Sequence, residues 1–182
     1  MQLTNKNSKG FVIIEVVVAT TLFVLLMAIA LGSIVNMLSS NRRIHANKDA
    51  MDNLNSSIEY MSRIVRFGDT YHCGSTGLLT APQNCAGGDT LLAVKFQLKT
   101  YVFRLTGTKI EVSDDGGTSY KPLTGSNVLI DRLRFFVFGT NNVDNIQPYV
   151  LVVIRGRVVN DPTGSAVFDV QTIMTQRDLD LP

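Results

Sequence analysis

At 182 residues, with 45% hydrophobic and 18% charged side chains, the chain has material for one ordinary domain plus an appendage and is not of disordered composition. Its 17 Lys and Arg stand against 15 Asp and Glu, and Lys6 and Lys9 make up the difference, so nothing in the balance suggests a general nucleic-acid binder. His45 and His72 are the only histidines, and no glycine loop is followed by Lys-Ser or Lys-Thr, which argues against a histidine-based hydrolase and a motor ATPase; no enzyme and no cofactor are expected.

The first ten residues, MQLTNKNSKG, are polar and end in glycine. An apolar run begins at Phe11, and Val16 to Val35 contains no charge in twenty positions, which is long enough to cross a bilayer. As a helix, residues 11–38 would extend about 42 Å at 1.5 Å per residue, more than a hydrocarbon core of about 30 Å. One charge is out of place in this run: Glu15. An ionised carboxylate within a membrane segment costs on the order of 3 kcal/mol on insertion scales, so a chain that keeps one should supply a partner.

The pattern Lys9-Gly10-Phe11 followed by Glu15 resembles the prepilin processing site of the type IV filament superfamily. The resemblance implies cleavage between Gly10 and Phe11 by a prepilin peptidase, N-methylation of Phe11, and an assembly role for Glu15 as the fifth residue of the mature chain. Cleavage would create a positive amine one helical turn from the carboxylate, and opposite charges in a low dielectric each favour the other's ionised form. In that family the glutamate is thought to meet the terminal amine of the neighbouring subunit. Two other readings exist: Glu15 snorkelling to headgroups in an ordinary anchor, and signal-peptidase cleavage after Ala28-Ile29-Ala30. The second is disfavoured because the apolar stretch exceeds a usual signal core and leaves Glu15 unexplained.

With no proline before Pro82 and Gly32 as the one glycine between Gly10 and Gly68, a single helix is predicted from near Phe11 to about Arg66. Residues 11–38 form its membrane half and 39–66 its amphipathic half. In the latter, Ile44, Met51, Leu54, Ile58, Met61 and Val65 recur at helical spacing and predict a packing stripe. Arg42, Arg43 and Lys48 read as a solvated or headgroup-contacting face.

Residues 67–182 read as a β-rich head. Strands are predicted at Thr90–Gln97, Thr100–Leu105, Lys109–Ser113, Val128–Phe138, Tyr149–Val159 and Ala166–Thr175, separated by turn chemistry at Thr106-Gly107-Thr108, Asp114-Asp115-Gly116-Gly117, Gly139–Asn145 and Asn160-Asp161-Pro162. The expected fold is α+β, a long N-terminal helix laid on an antiparallel sheet. Asp114 and Asp115 could ligate calcium, but a turn between strands explains them by backbone geometry, and no metal site is assigned.

The order of TYVFRL, LRFFVFG, YVLVVIRGRVV and FDVQTIMTQRD is similar to that in J-type pseudopilins of type II secretion and the related W-type minor pilins. This resemblance implies a single-pass protein of the inner membrane with an extracytoplasmic head, carried to the periplasm or cell surface in a filament. Its implied partners are other pilins, a prepilin peptidase, an inner-membrane platform protein and, indirectly, an assembly ATPase. Outside the cytoplasm, Cys73 and Cys85 in a glycine-rich connection are expected to pair, with two separate thiols as the alternative. Closing a loop of about 13 residues contributes roughly 3 kcal/mol in the chain-entropy model. The competing function is an anchored or secreted binding domain outside any polymer.

Overall fold

A computed structural model of the chain describes residues 12–141, 146–159 and 166–177. The protein is α+β. Among the described residues one 55-residue helix, α1 (Ile13–Phe67), precedes nine strands. Contacts divide the chain into two units, Met1–Arg42 and Arg43–Pro182, and the helix contributes to both.

In the first unit every described side chain is exposed, including large apolar ones such as Ile13, Leu26 and Ile29. In the second unit α1 buries Ala50, Leu54, Ser57, Met61, Ile64 and Val65. The predicted stripe is therefore rotated: Leu54, Met61 and Val65 lie at its centre, Met51 and Ile58 on its flank, and Ile44 outside it. Small side chains at Ala50 and Ser57 let the helix approach closely, and the Ser57 hydroxyl is buried at no penalty because it bonds the carbonyls of Asn53 and Leu123, both at 3.0 Å. Asn53 Oδ1 accepts the Gly125 N–H at 2.9 Å beside it.

The helix ends where its carbonyls find other donors. The buried Tyr71 hydroxyl lies 2.7 Å from the Val65 carbonyl and 2.9 Å from that of Gly68, and the Arg177 N–H donates to the Arg66 carbonyl at 2.8 Å. Gly68 is required by space, since a Cβ there would collide with Val94 Cγ1.

The strands are β1 (Thr70–Cys73), β2 (Cys85–Asp89), β3 (Leu91–Phe96), β4 (Lys99–Thr106), β5 (Lys109–Ser113), β6 (Lys121–Pro122), β7 (Val128–Phe138), β8 (Tyr149–Val158) and β9 (Val167–Thr175). Six match the predicted strands. The expected sheet is, however, two antiparallel sheets, ordered β1-β3-β4-β5-β6 and β2-β7-β8-β9. Strands β1 and β2 come from the segment read as a loop, so Cys73 and Cys85 stand on strands of different sheets.

The main core lies between the two sheets and the packed half of α1, with Leu54, Met61, Tyr71, Leu92, Phe103, Phe135 and Ile154 among its fully buried members. Phe103 meets Tyr60 of the helix edge to face at 6.4 Å. In β7 the buried positions switch parity, from Val128 and Ile130 to Leu133, Phe135 and Val137. A register shift between Ile130 and Arg132 leaves Asp131 unpaired and allows both sets to point inward. Opposite Ile130, Gly156 leaves room for the Phe168 ring, which a Cβ would strike.

The far sides of the two sheets differ. His72, Ala93, Val102 and Ser113 are cross-strand neighbours on the outer side of the five-stranded sheet, and all are buried. The segments 74–84 and 114–120 close over them: His72 Nδ1 donates to the Ala81 carbonyl at 2.9 Å, and the Gly117 N–H donates to Ser113 Oγ at 2.8 Å. The outer side of the four-stranded sheet carries exposed Arg132, Arg134, Arg155, Asp169 and Ile173 beside half-buried Phe136, Phe138 and Tyr149.

Candidate functional site

Of the residues marked by the processing pattern, Gly10 and Phe11 lie outside the described residues. Glu15 lies in the first turn of α1, where its N–H donates to the Val12 carbonyl at 2.9 Å. A carboxylate in this turn faces the positive end of the helix dipole. No hydrogen bond or ion pair holds it among the described residues, and the next charge along the chain is Arg42.

The helical surface after Glu15 is apolar on every side. Thr20 Oγ1 donates to the carbonyls of Val16 and Val17 at 2.9 and 3.0 Å, and Thr21 Oγ1 to Val17 at 2.7 Å, so both hydroxyls are satisfied within the helix. The segment is long and apolar enough to cross a membrane, and none of it is buried in the protein. A patch this large is not left in water by a soluble monomer; its chemistry calls for lipid tails or other helices. Within such surroundings an unpaired Glu15 is the costly group, and a cation brought to it by another chain, or by a new terminus, would relieve that cost.

Cys73 and Cys85 are joined by a disulfide with their Cα atoms 5.7 Å apart. The bridge ties the edge strand of one sheet to the edge strand of the other beneath the Phe135 carbonyl. Next to it the Gln83 amide donates to the Cys73 carbonyl at 2.9 Å, and the Cys73 N–H to the Gln83 carbonyl at 3.1 Å. His72 points away from the bridge, onto the covered side of its sheet.

The acidic turn is built for itself. Asp115 accepts from the Ser113 hydroxyl at 2.6 Å, from the N–H groups of Thr118 and Ser119 at 2.9 Å, and from the Ser119 hydroxyl. Those bonds, led by Ser113 and Ser119, hold its carboxyl well below the usual carboxylate range. Asp114 instead faces Lys99 at 3.4 Å and Lys121 at 3.9 Å. On the adjacent strand partial burial pushes Glu111 up, but the Arg104 guanidinium, through bonds of 3.0 and 2.9 Å, and a hydrogen bond from Thr106 together outweigh it and leave it below its ordinary value. Arg104 also lies over the Tyr120 ring at 3.4 Å.

Two surface features were not singled out by the sequence reading. A groove beside α1 is lined by Asp49, Asp52, Asn53, Ser56, Ser57, Tyr60 and Leu123. Burial, with Tyr101 and Asp114 nearby, pushes the Tyr60 phenol up, so it stays protonated at neutral pH. The second feature is a block of four arginines on the outer side of the four-stranded sheet. Its signal in the sequence is a pair of Arg-x-Arg spacings, Arg132 with Arg134 and Arg155 with Arg157, which alternation places on one side of their strands. The register then sets Arg132 directly opposite Arg155.

Comparison with protein-family models, curated proteins and solved structures finds no match to this chain.

Proposed function

We propose that the chain is a non-catalytic subunit of the type IV filament superfamily, a minor pilin or pseudopilin of a type IV filament or type II secretion system, nearest in layout to the J-type and W-type subunits. The observation that carries this reading is Glu15: a carboxylate with no partner among the described residues, in the first turn of a long helix whose first half is apolar and exposed, five positions beyond Gly10. An anchor alone needs no such charge, whereas a helix that must register against its neighbour gains by pairing it. The Cys73–Cys85 disulfide supports a head facing an oxidising compartment. Other pilins, a prepilin peptidase, a platform protein and an indirectly acting assembly ATPase are the partners that follow.

In this mechanism the apolar helix leaves the bilayer for a bundle of like helices, and Glu15 of one subunit meets the terminal amine of the next. Contacts of that kind are heterologous and do not close, so they propagate. The test is the mass of the mature protein from membranes, with and without Glu15→Ala. A chain beginning at Phe11 with one added methyl is expected for both, and the variant should lose incorporation into filaments. A start at Met1 or Leu31 would overturn the reading in favour of a simple anchor or a secreted domain.

A further inference from the structure

The two surface features described above carry opposite charge, and each is left open by the fold. On the four-stranded sheet the outer side is arginine and aromatic with no lysine: Arg132, Arg134, Arg155 and Arg157 adjoin Phe136, Phe138 and Tyr149, the last two stacked at 5.0 Å. Enrichment in Arg and aromatics with depletion of Lys is the composition of protein interfaces. Arg155 and Arg157 have carboxylates nearby, Asp169 at 3.9 Å and Asp131 at 3.3 Å, and Arg134 donates to the Gly88 carbonyl at 3.0 Å. Arg132 has no partner among the described residues, although it stands directly across from Arg155. Like charges set opposite each other on neighbouring strands weaken a sheet, so this arrangement works against the isolated head. The corresponding side of the other sheet is closed by two loops, whereas here all four arginines are exposed among the described residues.

The groove beside α1 is the complement. Its charged lining is Asp49 and Asp52 alone, and Ser56 and Tyr60 add hydroxyls suited to guanidinium groups. Asp49 and Asp52 have no ion-pair partner among the described residues.

We propose that the arginine side of the four-stranded sheet in one copy docks on the Asp49–Asp52 groove of a second copy. The two surfaces face away from the core on different elements of the head, so a single contact of this kind, joined head to tail, leaves one surface free on each copy. Each copy thereby offers one used and one free surface, which is the arrangement a filament requires. This inference rests on the filament reading and names a contact between its heads.

The test uses the protein as purified from membranes into lipid nanodiscs, with two differently tagged copies and capture of one by the other. Native copies capture each other. Arg132→Glu with Arg134→Glu, or Asp49→Lys with Asp52→Lys, lowers capture within each variant by roughly tenfold or more, as expected for like charges facing each other. Mixing the two variants restores capture, because the native sheet of the groove variant meets the native groove of the sheet variant and the two reversed surfaces also match; that restoration also shows both variants to be folded. Undiminished capture within either variant, or no restoration on mixing, would falsify the contact. The mass of each sample is read in parallel: correct processing at Phe11 without restoration sinks the contact alone, whereas unprocessed chains that still show the charge-swap pattern sink the filament reading and leave the contact standing.

Discussion

The two halves of α1 share one backbone conformation and little else. Residues 13–42 expose apolar groups all round, whereas residues 43–67 bury a narrow stripe and turn Asp, Asn, Ser and Arg outward. What separates them is the solvent each is written for. The packed half finds its apolar partner in the two sheets of the same chain. The other half finds none there and must take it from outside. Helix propensity is common to both; the placement of charge divides them, with one carboxylate at Glu15 and then none until Arg42.

That contrast predicts effects of very different size at equivalent residues. Leu54→Ala removes a fully buried side chain and should destabilise the head by about 2–5 kcal/mol, lowering its thermal midpoint in detergent. Leu25→Ala, on the exposed half, should leave that midpoint within error. Equal losses at both sites would break the comparison.

A smaller contrast separates the two helix-region glycines. Gly68→Ala drives a methyl into Val94 and should cost about 1–3 kcal/mol, while Gly32→Ala meets nothing within 4 Å and should not move the head's unfolding. Smaller still, Tyr71→Phe leaves the Val65 and Gly68 carbonyls without the hydroxyl, an expected loss of about 1 kcal/mol, measurable by urea titration. Thr21→Val, whose hydroxyl serves only its own helix, should be silent in the same assay.

The smallest effect is with pH. Asp115 is depressed in the folded head, so its contribution is fully present above the ordinary carboxylate value of about 4 and is lost as pH falls below it. The thermal midpoint of native protein should therefore fall relative to Asp115→Asn as pH is lowered from 6 to 3. A constant difference would mean that the turn does not depend on the charge.

The helix, its ends and six strands were legible because each is a local signal: an apolar run, an absence of proline, alternation between turns. The division into two sheets was not, because no local pattern says which strands pair. Strand β1 was hidden for a related reason. Tyr71 and Cys73 face the core while His72 faces a second buried layer, so all three are buried and nothing alternates between apolar and polar. The helix stripe was misaligned because Ala50 and Ser57, chosen for closeness, carry little hydrophobic signal. Glu15 was readable as a charge in the wrong solvent. The arginine block was not, since its halves are more than twenty residues apart and meet only through the β7–β8 register.

The Cys73–Cys85 bridge has a mechanical side. Were the chain held by its helix and loaded at its head, as the proposed filament role requires, the pull would pass through the packed half of α1 and on to β1, the first strand after it. Pulled straight, the segment between the two cysteines would lengthen to about 40 Å; the bridge holds its ends 5.7 Å apart and withholds that slack. The first strands of both sheets must then yield together, so the head resists as one block where an unbridged one could unravel from its first strand.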